Sequence, residues 1–242
     1  MRWLHVIVDV PPALAPTSAA FWSSVLGWPL GEPWPDQPAF RSFEPPTGPR
    51  SAYVHQQVGD HGPRVHLDLE VPDLESETGR LVELGATAGP RLPDWQVMSS
   101  PGGFPFCLVN RADREVPPAV DWAGHRSRLV QVCIDSSPAV HDAEVAFWRE
   151  ATQGRWVPGD SPEFAGKLYP EAGPVQLLLQ RLGDDHTGSG TTAHIDLGTD
   201  DLDAEVDRVA SLGATRLGPG HGWFVLRDPA GMVFCATENP PD

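Results

Sequence analysis

The chain has 242 residues, 27 prolines, 24 glycines and a formal net charge of −16, which suits one large or two ordinary domains of many short elements rather than a helical bundle. The acidity argues against a nucleic-acid partner, because phosphates select a basic surface, and leaves a neutral or cationic small molecule as the expected ligand. Three cysteines, Cys107, Cys133 and Cys235, contain no CxxC pair and indicate a reducing compartment without a disulfide framework.

In chain order, LHVIVDV (4–10) predicts an apolar strand. This start lacks the apolar stretch of a signal peptide and no later run approaches a membrane span, so no membrane partner and a cytoplasmic location are expected. APTSAAFWSSVLG (15–27) predicts a helix ended by Gly27, and FRSFE (40–44) and AYVHQQV (52–58) predict two strands. VHLDLEV (65–71) alternates with period two, placing His66, Asp68 and Glu70 on one face and Leu67 and Leu69 on the other. Asp73 is placed to cap a following helix with Leu74, Leu81 and Leu84 on one stripe, and Gly85 supplies the left-handed residue that ends it. WQVMS (95–99), SPGG (100–103) and FPFCLV (104–109) then predict a hairpin.

The order recurs. Residues 66–87 match 194–215 at half of their positions: His66/His194, Asp68/Asp196, Leu69/Leu197, Asp73/Asp201, Leu74/Leu202, Glu77/Glu205, Arg80/Arg208 and LGAT at the end of both. The register runs on through Trp95/Trp223, Pro101/Pro229, Gly103/Gly231, Phe106/Phe234 and Cys107/Cys235. With small shifts, Phe21–Trp22 matches Phe147–Trp148 and Asp9 matches Asp135. A tandem duplication follows. The expected domains are 1–112 and 127–242, joined by a linker at 113–126 within a stretch, 110–128, that has no counterpart. Each half reads as β-α-β-β followed by β-α-β-β, with room for an extra short strand in each unit. Strands are expected at 65–71 and 193–199, and helices at 74–84 and 202–212.

These segments (LHVIVDV, AAFWSSVLGW, VHLDLEVPDLESETGRLVELGAT and LRDPAGMVFCATEN) cover nearly the whole chain. On them, each half resembles the vicinal oxygen chelate superfamily of glyoxalase I, extradiol dioxygenases and bleomycin-resistance proteins, most of all a glyoxalase-like branch with an HLDL strand and a cysteine after the final turn. The resemblance implies an α+β fold: two homologous halves, each of paired βαβββ units whose curved mixed sheets enclose a ligand cleft. It also implies four converging strand positions per half. These are His5, Gln56, His66 and Cys107 in the first, and Gln131, Gln180, His194 and Cys235 in the second. Glyoxalase I-like sites place carboxylates where Gln56 and Cys107 stand, and dioxygenase-like sites keep two histidines and one carboxylate for iron. Glutamine lends a hard cation no charge and cannot act as a base. The implied ligand set is therefore incomplete. Either the chain holds no cofactor, or a divalent metal, zinc being the most suitable, sits on His5, His66 and Cys107 with one open position. The second half, with only His194 and Cys235, is poorer.

Plainer roles compete with each of these. Strand histidines are more often hydrogen-bonded core residues than ligands, and a free strand cysteine is usually a small buried hydrophobe. His66/Asp68 and His194/Asp196 can orient each other or line a wet cleft. Trp28, Trp34, Trp95, Trp156 and Trp223 lie near expected strand ends, and Trp95 and Trp223 are assigned to the cleft walls, although indole is mostly buried on average. No nucleophile elbow, Walker loop, GxGxxG turn or HExxH helix is present. GSGTTAH (188–194) reads as a loop before a strand, and GPGHGWF (218–224) as the approach to a hairpin.

Three functions remain. The missing carboxylates favour a metal-independent small-molecule binder of the sequestration or resistance type, as monomer or homodimer. The alternatives are a metal-dependent lyase, isomerase or oxygenase using the first half, and a catalytically silent interaction module. Glyoxalase I activity is not expected.

Overall fold

A computed structural model describes residues 3–185 and 188–242. The first half runs β1 (Leu4–Val10), α1 (Ala15–Leu26), β2 (Leu30–Trp34), β3 (Gln37–Phe43), β4 (Val54–Val58), β5 (Arg64–Val71), α2 (Leu74–Glu83), β6 (Thr87–Arg91), β7 (Trp95–Ser99) and β8 (Pro105–Asn110). The second runs β9 (Val120–Asp121), β10 (Arg126–Ser136), α3 (His141–Thr152), β11 (Arg155–Pro158), β12 (Phe164–Tyr169), β13 (Gln176–Arg181), β14 (Thr191–Thr199), α4 (Leu202–Ser211), β15 (Thr215–Pro219), β16 (Trp223–Arg227) and β17 (Val233–Thr237). The strand orders are β2-β3-β4-β1-β5-β8-β7-β6 and β11-β12-β13-β10-β14-β17-β16-β15. The fold is α+β with two homologous halves, each made of two βαβββ units. The extra strand in each unit is an edge strand: β2, β6, β11 or β15.

Local chemistry explains the elements. Asp73 and Asp201 cap α2 and α4 by accepting the amides of Ser76 at 2.7 Å and Ala204 at 3.0 Å. Acidic residues stand in the first turn of each helix and arginine in the last, as the helix dipole favours. Both helices end one residue earlier than expected, because Leu84 and Leu212 become the C-caps. Gly85 and Gly213 follow with φ of 102° and 112°, open to glycine at no steric cost. After each helix the chain crosses over and returns as a meander, so β5 lies parallel to β8 and β14 to β17. The alternating strand β5 buries both faces beyond Arg64. Its polar face therefore looks into protein, not solvent.

The expected linker is partly sheet. β9 pairs antiparallel with the start of β10, Arg126 opposite Asp121 and Ser127 opposite Val120, around a turn with Ala123 at φ 63°. Packing divides the chain into two compact units, each drawn from both halves. One holds the chain up to Val6, His66–Arg114 and Val132–Ala193; the other holds Ile7–Val65, Glu115–Gln131 and His194–Asp242. In the first, Phe104 and Phe106 of the first half meet Phe147 and Trp148 of α3. In the second, Phe21 and Trp22 of α1 meet Phe234 of β17. No described helix is long and apolar enough to cross a membrane.

Candidate metal centre

In the first unit, β5 and β8 bring three ligand-bearing side chains together. Asp68 stands in register with Cys107 on the neighbouring parallel strand, and His66 shares its face two residues away. The imidazole, carboxylate and thiol ligand atoms all lie within 4.8 Å of one another. His66 Nε2 is 3.5 Å from Asp68 Oδ1. That is long for a charge-assisted hydrogen bond, which runs to about 2.9 Å. It does match two ligands each about 2.1 Å from a tetrahedral ion, which stand roughly 3.4 Å apart. Asp68 Oδ1 is buried and accepts no hydrogen bond among the described residues. A buried carboxylate oxygen left in this way is costly unless a cation or water meets it. The residues present fit a borderline-soft divalent ion.

Beside this cluster lies an ion-paired one. Glu70, next on the same face of β5, accepts His5 Nε2 at 3.0 Å, Arg114 Nε at 2.6 Å and the Ala112 amide at 3.1 Å. Burial alone would raise the Glu70 carboxyl, but the bonds from His5, the Ala112 amide and Arg114 outweigh it and hold it below its ordinary value. His5 is thus bound to Glu70 and lies 3.4 Å from Arg114 Nη2, outside the His66–Asp68–Cys107 group. Of the three residues expected to share a metal, His66 and Cys107 stand together with Asp68, and His5 is engaged by Glu70.

Gln56 and Gln180 are placed by the register of their own strands. The Gly59 amide bonds the Val10 carbonyl just as the Arg111 amide bonds the Val71 carbonyl and the Leu182 amide that of Ser136. Counting back equally, the equivalents of Cys107 are His55 and Leu178. Gln56 turns instead to the start of α1, donating to the Ala15 carbonyl at 3.2 Å. A slip of one residue in a strand changes its face. His55 contacts Ser42 Oγ at 2.9 Å through Nδ1 and meets Trp34 edge-on. Gln180 lies two residues beyond Leu178; its Oε1 accepts the Cys133 thiol at 3.3 Å and its amide donates to Glu163.

The second unit repeats the first cluster with one change. His194, Asp196 and Cys235 have ligand atoms within 4.8 Å of one another, Asp196 is in register with Cys235, and His194 Nε2 is 3.4 Å from Asp196 Oδ1. Here the Gln131 amide donates to Asp196 Oδ2, and Gln131 Oε1 accepts the Asn239 amide at 3.5 Å. Oδ2 of this carboxylate already has a protein partner, and its Oδ1 stands as that of Asp68 does.

Of the tryptophans, Trp95 and Trp223 share the faces of Cys107 and Cys235, one residue pair further along β7 and β16, and Trp223 lies over Gly220. Trp28 is core, edge-on to Tyr53. Trp156 carries Arg149 over its ring. Trp34 stacks on Phe40 at 5.1 Å. Sequence reasoning missed Glu70 as an anchor, Arg114 and His55. The nearest signal was the acidic residue continuing the His66–Asp68 alternation.

The sequence model of the glyoxalase-like domain matches residues 5–109 and 131–237. The chain belongs to the glyoxalase-like domain family, of vicinal oxygen chelate architecture with two repeats. No curated sequence matches it. Among solved structures it resembles a triple mutant of 4-hydroxymandelate synthase from Streptomyces coelicolor (15% identity, TM-score 0.64, covering 98% of this chain and 93% of that one). It also resembles the Mn(II)-bound glyoxalase from Novosphingobium aromaticivorans (14%, 0.62, 98% and 81%). A third is 2,2',3-trihydroxybiphenyl 1,2-dioxygenase from Sphingomonas wittichii (11%, 0.61, 98% and 90%). At these identities the likeness is one of fold.

Proposed function

We propose that this chain is a divalent-metal-dependent enzyme acting on a small oxygen-bearing molecule, with His66, Asp68 and Cys107 as the metal ligands. The observation that carries the reading is the 3.5 Å gap between His66 Nε2 and the unbonded Asp68 Oδ1. Asp68 on β5 supports this reading by offering the carboxylate that Gln56 and Cys107 do not. Thiolate, imidazole and carboxylate together favour zinc over a hard cation. Bound there, the ion would supply Lewis-acid polarisation of a substrate oxygen or an activated water at its open position. The chain's own residues hold and orient. Register pairing fixes Asp68 beside Cys107, and the His5–Glu70–Arg114 group keeps an imidazole, a carboxylate and a guanidinium fixed next to the ligands, where Glu70 and His5 can hold a proton between them.

The decisive measurement is metal content after purification, followed by zinc titration against a chromophoric chelator. One tight equivalent is expected, lost in Cys107→Ser and weakened in Asp68→Asn. Protein that takes up no stoichiometric metal overturns the reading.

A second reading, sequestration of a flat cationic molecule, is favoured by the Trp34–Phe40 stack beside His55 and by the net charge. Indole faces attract cations by about 0.5–2 kcal/mol per contact. It predicts quenching of tryptophan fluorescence by cationic aromatics, weaker at physiological than at low salt.

A further inference from the structure

The paired helices α1 and α3 carry Phe-Trp at the same place, and the paired turns 100–103 and 228–231 have the same hydrogen bonds. Ser100 and Asp228 each accept, through the side chain, the amide four residues on: Phe104 at 3.0 Å and Met232 at 2.8 Å. In each unit one helix docks on one such turn, and each time a buried indole N–H donates to a carboxylate. The carboxylate comes from opposite sides. In the second unit Trp22 Nε1 donates to Asp228 Oδ2 at 3.0 Å, so the turn supplies the acid. The helix there presents Ser18, fully buried, its hydroxyl without a hydrogen-bond partner among the described residues. In the first unit Trp148 Nε1 donates to Glu144 Oε2 at 2.7 Å, so the helix supplies the acid. Glu144, at the helix place of Ser18, also accepts Ser100 Oγ and the Gly102 amide. A Cβ on Gly102 would meet Thr191 Oγ1 and lie 2.7 Å from Glu144 Oε1, and its counterpart in the other turn is Ala230, where the helix offers only a serine.

We infer that Glu144 with Ser100 and Gly102, and Ser18 with Asp228 and Ala230, form a complementary docking code that decides which helix seats on which turn. The mismatched pairings are both bad. Glu144 against Asp228 and Ala230 buries two carboxylates together and presses a methyl on one of them. Ser18 against Ser100 and Gly102 removes the only acid, leaving an indole N–H, a hydroxyl and an amide with no acceptor. Each α1 or α3 surface therefore fits a single partner, although their apolar Phe-Trp faces are alike. The partner lies in the other half of the sequence. Since the turns lead into β8 and β17, the code also seats the strands that carry Cys107 and Cys235.

The test converts one docking site at a time in the full chain and reads cooperative unfolding by circular dichroism and indole fluorescence. Glu144→Ser alone should lower Tm by roughly 10 °C or more, since it orphans three buried donors. Adding Ser100→Asp, which rebuilds the turn-supplied acid, should recover at least half of that loss. In the other unit Ser18→Glu should be as damaging, and Ser18→Glu with Asp228→Ser and Ala230→Gly should recover it. Should Ser18→Glu not fold, the two Glu144 variants alone decide. A Glu144→Ser protein as stable as the parent, or a rebuilt turn no better than Glu144→Ser, overturns the code.

Discussion

At the scale of single residues, charge and face decide more than residue type. Asp68→Asn keeps the shape of the side chain and removes its charge, so zinc affinity should fall at least tenfold while Tm holds or rises. Chelator competition and thermal unfolding of the same sample check both halves of that statement. Glu70 and Asp228 should respond to acid with opposite signs. The Glu70 carboxyl is held below its ordinary 4.5 in the fold. Its bonds therefore contribute stability in full above that value, and lose it as pH falls through the folded-state value. Tm of the parent should drop on acidification below about 4.5, and Glu70→Gln should flatten that drop. Burial raises Asp228 above 3.8 even against the bonds from the Met232 amide and Trp22. Its ionised form therefore weakens the fold above the raised value, and this loss is relieved as pH falls toward 3.8. Asp228→Asn should remove that relief from the same Tm profile.

At the scale of elements, arginine clasps repeat. In the first unit, Arg80 of α2 bonds Glu77 and reaches the carbonyls of Glu150 and Ala151 at the end of α3. In the second, Arg208 of α4 bonds Glu205 and reaches Ser24 and Val25 at the end of α1. Each guanidinium thus closes the orphan carbonyls of another helix. The two are not equal. Glu205 is fully buried and also accepts His125 Nε2 at 2.7 Å, and Arg208 lies 3.8 Å over Trp122. Removing one member of a buried pair costs about 3–5 kcal/mol. Arg208→Ala should lower the unfolding free energy by about 3 kcal/mol in a denaturant titration, and the more exposed Arg80→Ala by half of that or less. Equal effects would mean that the burial of Glu205 adds nothing to the second clasp.

At the scale of the whole molecule, duplication gives two copies of one cluster that have drifted apart. Oδ1 stands alike in Asp68 and Asp196, accepting no hydrogen bond among the described residues; the difference is that Gln131 donates to Oδ2 of Asp196. Zinc titration should therefore show one tight site per chain and at most a weak second one. Gln131→Ala, by releasing the second carboxylate, should strengthen the weaker site and leave the first unchanged. Two equal tight sites in the parent would contradict this.

Much of the fold was legible because its signals are local. Asp73 and Asp201, Gly27 and Gly85, the period-two phrase at 65–71 and the repeat of residues 66–87 each fix a cap, a stop, a strand or a duplication from a few adjacent residues. His66, Asp68 and Cys107, with their repeats, could be named for the same reason: they sit on well-marked strands. The sequence did not reveal which of them meet. The sequence names Gln56 and passes over His55, because no short motif sets the register of β4, and one residue of slip turns a side chain from one face of a sheet to the other. His5 was assigned to the metal, whereas Glu70, on the neighbouring strand, and Arg114, more than a hundred residues away, claim its ring. The sequence by itself determined the elements, their order and the duplication, since these rest on near-neighbour chemistry. Tertiary structure alone decided which helix lies on which turn, which carboxylate faces the thiol and which is already bonded, because those outcomes rest on distances between residues the chain order keeps far apart.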